Sequence, residues 1–193
     1  NILLLAQNPL DCYIYSLHAV ATTAAAFAPS GYYVCSGDKS GTVHIWDTTQ
    51  DTHAKKYEYK ALGGPILDIA WSPDSKRIVV VGEGRESFGN VFLWDSGSSC
   101  GSITGHAKSC NSVDMKSTRP FRLVTASEDT DAGFFAGPPF KWDHMCKESA
   151  GYVNAVRYSP SGEFFLTGDS KGRAFLYDGK EGTLVAELGG AEE

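Results

Sequence analysis

The sequence predicts an all-β propeller, four consecutive four-stranded blades preceded by a half blade, and three observations predict it. First, one turn recurs. Phe27-Ala28-Pro29-Ser30-Gly31 returns as Trp71-Ser72-Pro73-Asp74-Ser75 and as Tyr158-Ser159-Pro160-Ser161-Gly162, with a degraded copy at Thr118-Arg119-Pro120. These prolines stand 44, 47 and 40 residues apart. Second, an aromatic-Asp pair recurs at Trp46-Asp47, Trp94-Asp95 and Tyr177-Asp178, at spacings of 48 and 83 residues, the latter close to two periods. Third, the segments between are short, β-branched and aromatic, bounded by Gly, Pro, Asp and Ser, as strands are. No window sustains the 3.6-residue period of a helix.

The unit of about 40–45 residues, with Gly-His near its start and Trp-Asp near its end, is the signature of the WD repeat. Its phasing divides the chain into a half blade at 1–18, blades at 19–62 and 63–104, a divergent blade at 105–147 and a blade at 148–193. In the half blade, Ile2 to Ala6 and Cys12 to Leu17 read as two strands around Gln7-Asn8-Pro9. An apolar first strand runs into each proline turn, as in Ile66 to Trp71 and Val153 to Tyr158. A second strand follows, at Tyr32 to Ser36, Arg77 to Val81, Phe121 to Ala126 and Phe164 to Thr167. An acidic turn such as Gly37-Asp38-Lys39-Ser40-Gly41 or Gly168-Asp169-Ser170-Lys171-Gly172 leads to the third strand, which ends at the aromatic-Asp pair. Propellers close with about 4–8 blades. Four and a half blades therefore predict an arc of a larger ring, or association with another copy, because an open arc leaves sheet faces and edges uncovered.

The motif residues have structural work. In a WD blade a His, a Ser or Thr, an Asp and the Trp form a hydrogen-bonded set that locks neighbouring strands. His106 opens the divergent blade, with Ser127 and either Asp129 or Asp131 available to answer it, and His18 is placed to open the first. Trp46, Asp47, Trp94, Asp95, Tyr177 and Asp178 are assigned to the same structural motif. A Ser, His and Asp in one blade also suggest a hydrolase, but the repeat accounts for the trio.

Composition narrows the function classes. Charged residues sum to a formal −6, which disfavours nucleic acid, since phosphate neutralisation needs clustered Lys and Arg. The five cysteines include no C-x-x-C pair. That spacing speaks against a metal site or disulfide framework and favours a reducing compartment. No run approaches the ~18 apolar residues of a membrane span, and Ile2 to Leu5 lacks the basic flank of a signal peptide. The glycines of Gly82-Glu83-Gly84-Arg85-Glu86-Ser87-Phe88-Gly89 are not spaced as a phosphate loop. Glu128-Asp129-Thr130-Asp131 lacks the ordered oxygens and distal Glu of a Ca²⁺ loop. Neither metal nor other cofactor is expected, and the chain reads as a binding scaffold, not an enzyme.

Binding is expected in the less regular segments, because loops on a rigid scaffold commonly carry it. Glu86 and Glu128 both follow a second strand, so they occupy equivalent loops of adjacent blades and face the same way. Phe134-Phe135-Ala136-Gly137-Pro138-Pro139-Phe140-Lys141-Trp142 contains a Pro pair that cannot lie mid-ladder, and alternation turns Lys141 away from its neighbours. Trp142 and Tyr152 bracket the connection to the last blade, and Trp is enriched at binding hot spots.

These irregular runs also carry a family resemblance. Lys56-Tyr57-Glu58-Tyr59, Val80-Val81-Gly82-Glu83-Gly84-Arg85-Glu86, Val91-Phe92-Leu93-Trp94-Asp95-Ser96-Gly97 and Gly137-Pro138-Pro139-Phe140-Lys141 resemble the actin-interacting protein 1 family, along nearly the whole chain. The resemblance implies a seven-bladed propeller and a cytoplasmic role on the actin cytoskeleton. It implies as partners actin filaments and ADF/cofilin, with filament disassembly promoted and barbed-end regrowth limited. It implies no nucleic acid or membrane partner and no active site. Carried over residue by residue, the binding positions are Glu86, Glu128, Lys141, Trp142 and Tyr152. The chain departs from the family in Trp142, usually Phe, in Glu128, usually Asp, and in a shorter segment from Asp143 to Gly151. The alternative reading is a generic WD scaffold that recruits a peptide or a ubiquitin-system partner at the channel mouth.

Overall fold

A computed structural model describes residues 2–5 and 12–189, with side chains from residue 16 onward. Its first element is an antiparallel hairpin of β1 (Ile2–Leu5) and β2 (Cys12–Tyr15). The predicted turn at Gln7-Asn8-Pro9 and the side chain of Cys12 lie outside the described residues. Blade 1 is β3 (Thr22–Phe27), β4 (Tyr33–Asp38), β5 (Thr42–Asp47) and β6 (Lys55–Lys60). Blade 2 is β7 (Ile66–Trp71), β8 (Arg77–Gly82), β9 (Gly89–Leu93) and β10 (Ser99–Ser102). Blade 3 is β11 (Cys110–Met115), β12 (Arg122–Ser127), β13 (Ala132–Ala136) and β14 (Lys141–Cys146). Blade 4 is β15 (Val153–Tyr158), β16 (Phe164–Asp169), β17 (Ala174–Asp178) and β18 (Leu184–Leu188). Within each blade the strands pair antiparallel in chain order, and no helix occurs among the described residues. The result is an arc of a WD propeller.

The first strands β3, β7, β11 and β15 stand side by side, so all four sheets fan out from one axis in the same orientation. Their proline turns touch: the Ser30 amide donates to Ser75 Oγ at 3.0 Å, and Ser117 Oγ donates to the Pro160 carbonyl at 2.8 Å. Two carboxylates stitch the inner strands. Asp68 of blade 2 accepts the Val113 amide at 3.0 Å and the Ser112 hydroxyl at 2.9 Å from blade 3. Asp114 of blade 3 accepts the Tyr158 amide of blade 4 at 2.8 Å. Arg157 of blade 4 reaches past blade 3, giving Nη1 to Ser112 Oγ at 2.6 Å and to Asp68 Oδ2 at 3.1 Å.

Between the blades lie three apolar cores. Successive strand residues face opposite sides of a sheet, so one strand feeds two cores. Ile78 and Val80 of β8 pack against Cys35, Val43 and Ile45 of blade 1, while Val79 and Val81 of the same strand pack against Val113, Leu123 and Phe135 of blade 3. Blades 3 and 4 meet through Val124, Phe134, Val156, Phe165 and Tyr177. On its other face blade 4 leaves Phe164, Leu166 and Leu188 exposed, which is why β16 alternates while β8 is buried from Ile78 to Gly82.

Pairing register corrects the motif reading in two places. Trp46 lies opposite Val34, Phe92 opposite Ile78, Phe135 opposite Leu123 and Tyr177 opposite Phe165. The position equivalent to Trp46 in blade 2 is therefore Phe92, and Trp94-Asp95 falls two residues beyond it, past the end of β9. The 48-residue spacing of the Trp-Asp pairs contains this slip. Trp94 instead packs on Tyr33 of blade 1 at 4.1 Å between ring centroids. Asp47 and Asp178 do occupy equivalent positions, where each caps the turn that follows: Asp47 accepts the Thr49 amide at 2.8 Å, and Asp178 the Lys180 amide at 2.9 Å.

The second correction concerns the partners of His106. Its Nδ1 meets Asp129 at 2.9 Å and its Nε2 meets Thr125 at 2.8 Å. Ser127 turns its hydroxyl to the Ser109 carbonyl at 2.9 Å, and Asp131 faces Lys147. Thr125 wins because side chains two apart on β12 share a face, and Thr125 is opposite Gly133, which has no side chain to fill that space. Blade 1 holds the complete set. Trp46 Nε1 donates to Ser36 Oγ at 2.8 Å, Ser36 Oγ lies 2.7 Å from His18 Nε2, and His18 Nδ1 lies 2.7 Å from Asp38. Every group is satisfied with a neutral imidazole: Trp46 gives to the hydroxyl, the hydroxyl gives to Nε2, and Nδ1–H gives to the carboxylate. Blade 4 replaces the His with Ser149, 2.8 Å from Asp169, and Tyr177 gives its hydroxyl to Glu148 at 2.8 Å.

One further imidazole stacks on the blade 1 set. His44 lies parallel to His18 at 3.9 Å. Burial, and then the neighbouring His18, push its pKa down to about 4. Between the ordinary value of 6.5 and about 4, the unfolded chain binds a proton that the folded chain refuses, so stability falls as pH drops through that window. The carboxylate Asp38 acts lower. Burial raises its pKa, but hydrogen bonds from Ser40, His18 and Thr42 outweigh that and hold it below 3.8, so its contribution is lost only at more acid pH.

Two outcomes are expected. The urea midpoint of the parent should drop between pH 7 and pH 5, and the drop should be clearly smaller in His44→Phe, which keeps a ring in the stack but does not titrate. Phe135→Ala, which removes a fully buried ring between blades 2 and 3, should cost about 3–5 kcal/mol in denaturant unfolding.

Candidate interaction surface

Since each sheet runs up and down in chain order, the loops after the second strands and the connections between blades emerge at one end of the arc. Glu86, Glu128 and Tyr152 all lie in such segments. Glu86 is exposed on the turn after β8. That turn is tight: a Cβ on Gly84 would fall 1.9 Å from the Ser87 carbonyl, and Ser87 Oγ donates to the Gly89 carbonyl at 2.6 Å. Glu86 borders an open groove of about 530 Å³ between blades 1 and 2, with Lys60, Arg85, Asn90 and Ser99 on its walls.

Glu128 and Tyr152 are both tied to the Lys108-Ser109 segment one blade further on. The Glu128 amide donates to the Ser109 carbonyl at 3.1 Å, and the adjacent Lys108 places its ammonium 5.3 Å over the Tyr152 ring. Tyr152 is 49% exposed yet fixed at its backbone, where its amide donates to Ser170 Oγ at 3.0 Å and its carbonyl accepts the Ser170 amide at 2.8 Å. Nothing in the sequence pattern singled out Lys108, whose role depends on a contact with a residue 44 positions away.

Lys141 and Trp142 stand on the outermost strand of blade 3, opposite Ala136 and Phe135. Plain alternation would bury one of any two neighbours. Here Phe140 is buried, whereas Lys141, Trp142 and Asp143 are all exposed. A register shift between Phe134 and Phe135 pairs them with His144 and Trp142 and leaves Asp143 without a partner across the ladder. Such a bulge re-aims side chains, and it leaves Trp142 52% exposed. Trp142 rests against the chain just before His106. Gly105 adopts φ +93, and a Cβ there would lie 3.2 Å from the indole Cδ1 and Nε1. His106 is in turn bonded to Asp129, next to Glu128. Glu128, Lys141, Trp142 and Tyr152 thus lie on blade 3 and its junction with blade 4, while Glu86 lies one blade away.

The chemistry of this surface is that of contact. Glu128, Lys108, Lys141 and Asp143 offer charge beside two large rings. His106, Asp129 and Thr125 have the residue types of a proton relay, but the His106 side chain is 0% exposed, so no substrate reaches it. Among the described residues no group of three or more His, Cys, Asp or Glu is arranged to hold a metal ion.

Comparison with known proteins agrees with the blade geometry. The family described as WD domain, G-beta repeat matches residues 11–47 and 142–178. WD repeat-containing protein 1 of Bos taurus is 56% identical over 186 residues, 96% of this chain and 31% of the relative. The protein of that name from Gallus gallus is also 56% identical over 186 residues. A 66 kDa stress protein of Physarum polycephalum is 52% identical over 187 residues, 97% of this chain and 31% of the relative. The chain thus spans about a third of the length of these relatives. An arc of WD blades with identity of this level along almost all of its residues belongs to the WD repeat-containing protein 1 family.

Proposed function

We propose that this chain is an actin-binding WD scaffold that cooperates with ADF/cofilin to promote filament disassembly and limit barbed-end regrowth in the cytoplasm. The observation that carries the reading is Trp142: a large ring held half out of the protein by a bulge, flanked by Lys141 and Asp143 and backed by Gly105. An aromatic anchor within a charged surround is the composition of a protein-contact hot spot. Glu128 and Tyr152 extend the surface toward blade 4, and Glu86 extends it toward blade 2. The carboxylates suit basic residues on actin or cofilin, which makes association salt-sensitive. The resemblance to the actin-interacting protein 1 family supplies the identity of the partners.

The test is co-sedimentation with actin filaments, with and without cofilin. Trp142→Ala should weaken cofilin-dependent association by about 2 kcal/mol while leaving the denaturation midpoint nearly unchanged, since the ring is half exposed. Raising ionic strength should weaken the parent. A Trp142→Ala, Glu128→Ala double variant that speeds cofilin-driven disassembly as well as the parent does would overturn the assignment of this surface.

A further inference from the structure

At the opposite end of the arc, the proline turns of blades 3 and 4 and the last hairpin turn of blade 4 line an open cavity of about 420 Å³. Its walls include Lys116, Thr118, Glu163, Asp178 and Lys180. Lys116 follows β11 and is only 5% exposed. Its Nζ donates to Thr118 Oγ1 at 2.5 Å and to the Thr118 carbonyl at 3.3 Å. Both acceptors are neutral. Lys55, Lys56, Lys147 and Lys180 each have a carboxylate within 4.0 Å, whereas no carboxylate among the described residues comes that close to Lys116. Glycine at 162 keeps the cavity open beside it, because a Cβ there would fall 3.1 Å from Lys116 Cγ and 2.7 Å from Thr118 Oγ1.

The charges around this amine offset its desolvation only in part. Asp178 spends Oδ1 on the amides of Lys180 and Glu181, at 2.9 and 2.7 Å. Glu163 accepts the Ser161 hydroxyl at 3.2 Å. Arg122, which donates Nε to the Lys180 carbonyl at 3.0 Å, adds a like charge. Burial first and Arg122 second lower the pKa of Lys116 from its ordinary 10.5, and Asp178 offsets this only in part. A lysine that is desolvated and next to another cation is an activated nucleophile.

We propose that Lys116 is a covalent modification site that takes activated acyl groups, thioesters or acyl phosphates, through this cavity. The neutral amine adds its lone pair to the acyl carbon, the bond from that carbon to sulfur or to phosphate oxygen breaks, and the thiolate or phosphate leaves. The surplus proton on nitrogen passes to water. The product is a neutral amide, with no change of oxidation state. It removes the charge and at least one donor from the Thr118 turn, whose hydroxyl meets the Ser161 carbonyl of blade 4 at 3.4 Å, so modification loosens the contact between the two blades.

The site is tested by competitive labelling of the folded protein with a trace of N-acetoxysuccinimide across a series of pH values. The remaining amines are then labelled with the heavy reagent in denaturant, and each lysine is quantified by peptide mass spectrometry. Lys116 should be acetylated several-fold faster than Lys180 and Lys147 at pH 7, and its rate should reach half-maximum at lower pH than theirs. A rate at or below that of Lys180 would overturn the proposal. So would faster labelling with the same pH midpoint as Lys180, which would show access without activation.

Discussion

The structure depends on the fact that a four-stranded sheet has two apolar faces and cannot cover either by itself. Each blade covers the face of the next, and β8 shows what this demands of sequence: five consecutive buried residues, with Val79 and Val81 serving one gap and Ile78 and Val80 the other. Near-continuous apolar runs belong to sheets buried on both sides. Blade 4 has a second blade on one side only, and its β16 and β17 return to simple alternation. Stability is therefore a property of the gaps more than of the blades, as in other stacked repeats.

The polar set at the blade entrance is subordinate to that packing. Blade 1 has all four members, blade 3 lacks the ring N–H because Phe135 takes the Trp position, blade 4 substitutes Ser149 and Tyr177, and blade 2 has Val80 and Phe92 where blade 1 has Ser36 and Trp46. Blade 2 nevertheless keeps the same four-strand register. A buried polar network must be satisfied throughout or be absent, and the blades realise both solutions. His44 is the exception, with Nδ1 buried and without a hydrogen-bond partner. It shares its stack with an imidazole whose two nitrogens are both engaged.

Much of the architecture was legible because turn chemistry is local. Ile66–Trp71 and Val153–Tyr158 were read to the residue, since proline, glycine and serine mark where each strand must stop. The errors arose where identity had to stand in for register. Trp94 looks like Trp46 but sits past the end of its strand, and Ser127 looks like a better partner for His106 than Thr125. The surface was less legible still. Alternation predicts that Lys141 is exposed, but a bulge makes Trp142 exposed as well, and no local pattern announces a bulge. Lys108 and Lys116 take their character from neighbours in another blade, Tyr152 and Gly162, which periodicity cannot connect.

The carboxylates of Asp68 and Asp114 bind the arc where its strands are closest to the axis, and this has a mechanical consequence. Blades joined at the hub behave as spokes: a small angular adjustment at the inner strands becomes a several-fold larger displacement at the outer ones, in proportion to radius. Because Asp68 is bonded to blade 3 and is reached by Arg157 of blade 4, three spokes share one pivot. Trp142 rides on an outermost strand, at the end of that lever, so an adjustment at the pivot displaces the proposed contact ring more than it displaces the strands at the hub.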